Sequence, residues 1–207
     1  NHFGYGIGRM TDPVERYRLA KLSYIAGKKA KRSAAYGPAI EYFRAGTDLL
    51  GDQMWSDSEG MSHGLAFNLS ECVYLTGEHD MAERLFDEVL NHCETDLERA
   101  AVYNLKVVLY SNLTRYEEAI QCGVKALQCC GMPFNADVKQ WHVLAEVFRS
   151  KWQLRGRTVE SLELLDELSE PRLLVAIRVL NAMAGPAYFV DANLYIVLVL
   201  KMLNLSL

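Results

Sequence analysis

Apolar side chains recur at intervals of three and four residues along most of the chain. In the segment 64–93, the first helix carries Leu65, Leu69, Val73 and Leu75, of which the first three are spaced by four residues. This spacing places the apolar side chains on one side of an α-helix, whereas a half-buried strand would alternate with a period of two. No stretch with a period of two is present. The sequence therefore predicts an all-α fold with essentially no sheet.

One layout occurs three times: an apolar helix, a polar turn, a second helix with an alanine near its start, and a stop. We predict these helix hairpins at about 14–50, 57–93 and 96–131. Their alanines, Ala39, Ala82 and Ala119, are spaced by 43 and 37 residues. Helix-pair repeats have periods in this range, and one hairpin cannot bury its own apolar face. We therefore expect the antiparallel hairpins to stack into a superhelix. Its predicted packing residues are Ala39, Phe43, Gly77, Ala82, Phe86, Ala119 and Ala126.

The turns carry more specific predictions. Gly77 is placed to adopt a positive φ after the first helix of its hairpin. Thr114 and Glu117 have the spacing of a capping box, which predicts a helix start at Thr114. In the first hairpin we predict a helix over about 14–26 and a longer polar turn over 27–32.

An irregular helical part is predicted over 135–207. Its first helix, over 138–153, has these residues on one side: Trp141, Leu144, Ala145, Phe148 and Trp152. We interpret the aromatic residues among them, Trp141, Phe148 and Trp152, as core packing and not as a cofactor box. A short helix capped by Thr158 follows, to Leu168. Pro171 suits the first turn of a helix that extends to 185–186, and Asp191 can cap the last helix.

Length and ends bear on the organisation of the chain. With 207 residues it is long enough for a sizeable core, and we predict a single helical-repeat domain over 1–207. The first residue is not Met, and the helical pattern still continues at Leu207, so we expect a piece of a longer protein. The longest apolar run, over 194–200, is far shorter than the ~20 residues that span a bilayer, so no membrane insertion is expected.

Composition and charge narrow the function. Half of the residues are hydrophobic and 23% are charged, as in a folded domain, and the net charge of −4 provides no basic field for nucleic acid. The five cysteines are odd in number and include no CxxC pair. We interpret them as reduced core thiols and expect a cytoplasmic protein.

No motif for catalysis, cofactor binding or metal binding is found. The glycines over 4–8 are not followed by Lys-Ser or Lys-Thr, and no HExxH or GxSxG pattern occurs. We therefore expect no catalytic residue, no cofactor and no metal, although spacing alone leaves Ser/His/Asp and Cys/His catalysis open. One basic run is either a solvated turn or a set of candidate partner contacts: Lys28, Lys29, Lys31 and Arg32.

The stretch LAKLSYIAGKKAKRSAAYGPAIEYFRAGTDLLG resembles the tetratricopeptide-like region of large bacterial signalling proteins. The resemblance continues through YLTGEHDMAERLFDEVL and RYEEAIQCGVKALQCCGMPF. In such proteins a serine/threonine kinase-like domain and a STAND-type AAA ATPase precede the helical region, and GAF or PAS domains and a histidine kinase follow it. Gly123 departs from the pattern, because the family usually has a large residue there.

The resemblance implies a non-catalytic module that couples the ATPase to downstream sensor-kinase domains. Its partners would be other domains of the same polypeptide, or a protein or peptide. The alternative is a free-standing helical regulator that binds a small molecule or peptide between helices. This alternative is motivated by the aromatic residues of the C-terminal half: Trp141, Trp152, Tyr188, Phe189 and Tyr195.

Overall fold

The computed structural model describes residues 12–56, 60–156 and 168–207, and within these ranges it contains helices and no strand, which confirms the all-helical prediction. A short 3₁₀ segment, Gly51–Ser56, follows the second helix. The α-helices of the described ranges are α1 Pro13–Arg32, α2 Tyr36–Leu50, α3 Met61–Leu75, α4 His79–Asn91, α5 Asp96–Asn112, α6 Tyr116–Cys129, α7 Gln140–Leu154, α8 Pro171–Val190 and α9 Ala192–Ser206.

The chain divides into two compact units, residues 1–93 and 94–207. In the first unit α1 packs on α2, α2 on α3, and α3 on α4. In the second unit α5 and α6 form a hairpin, α8 lies against both of them and against α9, and α7 packs on α9. The predicted hairpins thus occur as pairs of neighbouring helices in both units.

The three hairpins share one turn geometry. The residue between the helices has a positive φ in each: 55° at Ala34, 88° at Gly77 and 58° at Thr114. In the middle turn, the Gly77 N–H donates to the Tyr74 carbonyl at 3.0 Å and the Glu78 N–H donates to the Val73 carbonyl at 3.2 Å, and the other two turns have the same pair of bonds. This is the pattern of a Schellman C-cap, and it satisfies carbonyls that the ending helix leaves unpaired.

Two predicted boundaries in the hairpins are wrong. Helix α1 does not end near Ala26 but continues to Arg32, so 27–32 is helical. Gly27 serves packing, since a Cβ there would lie 2.5 Å from the Phe43 ring. Thr114 is not an N-cap, because it adopts the left-handed turn conformation itself, and Arg115 is the residue at the cap.

A capping box does exist, at the start of α5. The Thr95 hydroxyl accepts from the Glu98 N–H at 3.2 Å, and the Glu98 carboxylate accepts from the Thr95 N–H at 2.9 Å. This reciprocal pair satisfies two amide groups that the first turn of a helix leaves unpaired. It fixes where the second unit begins its first helix.

Helix α8 begins as predicted and ends later. Pro171 occupies its first turn, which confirms that prediction, and Asp191 caps α9 by accepting from the Leu194 N–H at 2.9 Å. The helix does not stop at 185–186 but continues to Val190 with Pro186 inside it, because the buried side chains of Pro186 and Ala187 stabilise the continuation by packing. The predicted cap Thr158 lies outside the described residues.

Within the described ranges α8 is also the helix that has the length and apolar composition to cross a bilayer, with a mean hydropathy of 1.6. Core helices of folded proteins share these properties. In this unit α8 has a completely buried side formed by Val179, Leu180, Met183 and Ala187.

Candidate interaction surfaces

Helix α7 presents its large apolar side chains to solvent. Trp141, Leu144, Phe148 and Trp152 are between 63% and 69% exposed. Their spacing of three, four and four residues places them in one stripe along the helix. We call these four residues the α7 stripe. The prediction that Trp141, Phe148 and Trp152 pack in the core is wrong, because α7 turns its opposite side toward α9.

The inner side of α7 is anchored by polar side chains, which lie beside the half-buried Val143 and Val147. Ser150 donates to the Asn204 side-chain oxygen at 2.7 Å, and the Asn204 amide donates to the Glu146 carboxylate at 2.8 Å. Lys201 pairs with the same carboxylate at 2.7 Å. Hydrogen bonds of this kind are directional and fix the rotation of a helix on its partner. They therefore orient α7 on α9 with the α7 stripe outward.

The Glu146 carboxylate is charged in this setting. Burial raises its pKa, but the hydrogen bonds and charge of Lys201 and the hydrogen bond from Asn204 outweigh burial and leave the pKa below its ordinary value of 4.5. Its side chain is 12% exposed, so the charge is largely shielded from water by its partners. The α7–α9 contact is thus an ionic and hydrogen-bonded one at neutral pH.

Positive charge borders the α7 stripe. Arg149, Lys151 and Arg155 are exposed beside it, and the Arg155 guanidinium lies 6.0 Å from the Trp152 ring centroid. The acidic residue within α7 is Glu146, which lies on the other side and pairs with Lys201. The exposed face of α7 is therefore apolar in its centre and basic at its edges.

A second group of aromatic rings surrounds the end of α8. Tyr116 stacks on Phe189 with ring centroids 4.9 Å apart, and Tyr188 packs edge-on against both Phe189 and Tyr195. Tyr188 and Phe189 are two-thirds exposed. Three of the five aromatic residues behind the small-molecule hypothesis therefore meet here, whereas Trp141 and Trp152 belong to the α7 stripe.

The basic run of the first unit is divided between two environments. Lys31 is half-buried and pairs with the Glu71 carboxylate and, at 2.8 Å, with the Asn68 side chain of α3. Lys28, Lys29 and Arg32 are exposed, and the Lys28 ammonium lies 5.2 Å from the Tyr24 ring centroid. Lys31 thus joins α1 to α3, and the other three residues remain accessible.

The residues predicted for repeat packing lie at equivalent places. Each alanine five residues after the left-handed turn residue is fully buried, and so is the aromatic residue four positions later in the first two hairpins. Gly77 occupies the turn itself. The completely buried members of the set are Ala39, Phe43, Ala82, Phe86, Ala119 and Ala126.

The third hairpin has Gly123 where the first two have Phe43 and Phe86. A Cβ at Gly123 would lie 2.3 Å from the Met183 sulfur, so the methionine of α8 occupies the space that a larger residue would need. Met183 is completely buried there. The glycine therefore lets α8 pack closely against the hairpin of α5 and α6. This packing explains why the third hairpin has a glycine where the repeat pattern has a large residue.

The cysteines are free thiols in the described structure, and four of the five are buried. Burial raises the pKa of the Cys72 thiol to about 11, with Lys31 opposing the rise and Glu71 adding to it. Cys93 lies 3.4 Å from His63 Nε2, a pairing that sequence spacing did not reveal, and its thiol donates to the Val89 carbonyl at 3.3 Å. Neutral, buried thiols are poor nucleophiles.

The described ranges bring together no group of three or more His, Cys, Asp and Glu side chains that could hold a metal ion. Sequence reasoning missed the outward rotation of α7. The available signal was the polar set Glu146, Ser150 and Gln153, which recurs at intervals of four and three residues opposite the aromatic stripe. Lys201 and Asn204 interrupt the apolar pattern of α9. They were the corresponding signal in the partner helix, because they pair with Glu146 of α7.

Comparison with known proteins connects the chain to signal transduction. An alignment over 171 residues covers 78% of the chain and shows 22% identity to hybrid signal transduction histidine kinase G of Dictyostelium discoideum. The matched region is 5% of the length of that protein. No family model matches the chain, and no solved structure matches it. The relative is not bacterial, so the comparison does not support the expected bacterial source.

Proposed function

We propose that the chain is a non-catalytic helical interaction module of a signal-transduction protein, and that its α7 stripe is the surface that a partner covers. Four large apolar side chains in one row are costly to leave in water, at about 25 cal/mol per Å² of apolar surface. Contiguous exposed apolar patches on folded proteins commonly mark interaction sites. The stripe is the observation that carries the proposal.

The architecture supports a coupling role. Three hairpins with one turn geometry and one buried alanine position form the kind of unit that stacks with its neighbours and presents helix faces. We propose that these hairpins have a tetratricopeptide-like arrangement. The histidine kinase relative supports a place in signalling, and the kinase activity in its name is a property of that protein.

The finer proposal concerns the neighbours of the module. We propose that it lies between a STAND-type AAA ATPase and downstream sensor-kinase domains in a cytoplasmic protein. Its support is the AGKKAKRSAAY stretch, which forms the last turns of α1 and the turn into α2. The partners would be those domains or a separate signalling protein.

The aromatic group at the end of α8 favours a second candidate function. Tyr188 and Phe189 are exposed and arranged edge to face with Tyr195. Exposed rings of this kind can stack on a planar ligand. A small-molecule regulator would use this group, and mutation of Tyr188 would then abolish ligand binding while the α7 stripe remained dispensable.

Hydroxyl-radical footprinting tests the module proposal. The oxidation of Trp141 and Trp152 would be followed in the isolated chain and in the full-length signalling protein. A partner domain that covers the α7 stripe would slow the oxidation of both in the full-length protein. Trp55 is the internal control, because it is half-buried and stacks on His92 with ring centroids 3.9 Å apart within the first unit.

A further inference from the structure

We propose that the α7 stripe binds an amphipathic α-helix of a protein partner whose apolar side is bordered by aspartate and glutamate. This inference rests on the proposed function and names the partner of the same surface. It follows from three properties of α7: the spacing of the stripe, the sign of the charges around it, and the fixed rotation of the helix.

The spacing of the stripe matches the contact row of a second helix. Trp141, Leu144, Phe148 and Trp152 follow one another at three, four and four residues, as the contact positions of packed helices do. At a rise of about 1.5 Å per residue the row is roughly 17 Å long, or about three helical turns. Amphipathic helices bind apolar grooves and faces through anchors at this spacing.

The positive charges beside the α7 stripe favour a partner helix with acidic flanks. Arg149, Lys151 and Arg155 lie exposed beside the stripe, whereas Glu146 is directed away from it and paired with Lys201. A partner with acidic flanks would place opposite charges along both edges. A second copy of α7 would bring basic edges against basic edges. An anionic membrane would attract the same three residues, and a test of binding to vesicles distinguishes it from an acidic helix.

The stripe is held in place before any partner arrives. Hydrogen bonds from Ser150, Lys201 and Asn204 fix the inner side of α7 on α9. A helix that keeps one rotation loses little conformational freedom on binding, which favours affinity. The α7 face is therefore a preformed half of a helix–helix contact.

Two synthetic helical peptides of 18 residues test the inference. Both carry leucine at the contact positions, and the flanking positions are glutamate in one and lysine in the other. Fluorescence anisotropy with the 207-residue chain would measure their affinities. We expect the acidic peptide to bind roughly tenfold more tightly, because three exposed pairs contribute modestly each. Added salt should reduce this preference.

Substitutions separate the contribution of the apolar stripe from that of the basic residues beside it. Phe148→Ser should weaken the binding of both peptides, because it removes an apolar anchor in the middle of the stripe. The triple variant R149Q/K151E/R155E should reverse the preference between them, and glutamine at position 149 avoids a second carboxylate beside Glu146. Leu22→Ser is the matched control, since Leu22 is a 61% exposed apolar residue on α1 of the first unit and should have no effect. Circular dichroism would show that each variant retains its helices.

Other outcomes would overturn the inference. Equal affinity for both peptides, or no affinity for the acidic one, would contradict an acidic partner. So would binding to vesicles of phosphatidylcholine and phosphatidylserine that depends on the three basic residues, or self-association that Phe148→Ser abolishes. If Trp141 and Trp152 are protected in the full-length protein while the triple variant leaves peptide preference unchanged, the interaction module stands and the acidic partner does not.

Discussion

Three different amino acids, Ala34, Gly77 and Thr114, adopt a positive φ at the hairpin turns. Glycine adopts a positive φ without penalty, whereas an L-residue in this conformation costs roughly 1–2 kcal/mol. Ala34 and Thr114 accept that cost because the two backbone hydrogen bonds of the turn require the conformation. The structure thus stores strain at two of its three turns.

This strain predicts an asymmetry among substitutions. Ala34→Gly and Thr114→Gly should each raise the free energy of unfolding by about 0.5–1 kcal/mol, and Gly77→Ala should lower it by about 1 kcal/mol. Urea denaturation would measure all three. Ser33→Gly is the control, because Ser33 is exposed in the same turn with a φ of −89° and offers no strain to relieve. Equal effects of Ala34→Gly and Ser33→Gly would contradict the account.

The contact between Gly123 and Met183 predicts strong coupling between two helices of the second unit. Gly123→Ala should destabilise by about 1–3 kcal/mol through overpacking, and Met183→Ala by about 2–5 kcal/mol through a cavity. In the double variant the new methyl group finds room, so the combined loss should fall short of the sum by at least ~0.5 kcal/mol. A double-mutant cycle in urea tests this, and strict additivity would contradict the proposed contact.

At the scale of elements, much of the helical architecture was predictable from the sequence. The apolar spacing predicted the hairpins, and Pro171 and Asp191 marked helix starts correctly, because caps and first turns depend on a few neighbouring residues. Local signals were misleading where tertiary contacts decide. Gly27 looked like a turn glycine but makes room for Phe43, and the packing of Pro186 overrides its tendency to end a helix.

The orientation of α7 could not be predicted from its own pattern, since periodicity identifies an apolar side without saying what covers it. The deciding partners, Lys201 and Asn204, lie more than 50 residues away and select the polar side of α7 for burial. The predicted core residues of α7 thereby became the candidate site. Where polar residues recur on the side of a helix opposite an apolar stripe, the polar side can be the buried one. The apolar stripe can then be an interface.

The ionic contact between α7 and α9 predicts a pH dependence. The pKa of Glu146 is lowered in the folded state, so its stabilising contribution is present above the ordinary value of 4.5 and is lost as the pH falls through the lowered value. Glu146→Gln should cost about 1–2 kcal/mol at neutral pH and progressively less in acid. Urea titrations between pH 3 and pH 7 would show two converging curves.

Glu41→Gln, at an exposed position inside α2, is the control for this titration and should lower the free energy of unfolding far less than Glu146→Gln at neutral pH. Parallel curves for the wild-type and Glu146→Gln chains would show that the carboxylate does not hold α7 on α9 by its charge. In that case the outward orientation of the α7 stripe would need another cause.

At the scale of the whole molecule, the described residues form helix hairpins, and the chain divides into two compact units. The region matched at 22% identity makes up 5% of the length of hybrid signal transduction histidine kinase G, which is consistent with a signalling role. The α7 stripe is apolar, bordered by positive charge and fixed in orientation. These three properties are the physical basis of the proposed interaction role.

The central claim is tested most directly by the ratio of hydroxyl-radical oxidation rates for Trp141 and Trp152 in the isolated chain and in the full-length signalling protein. The account predicts a ratio several times greater than that of Trp55, because a partner covers the α7 stripe only in the full-length protein. Equal ratios for all three tryptophans would show that no other domain of the polypeptide covers the stripe, and would contradict its role as the contact between domains.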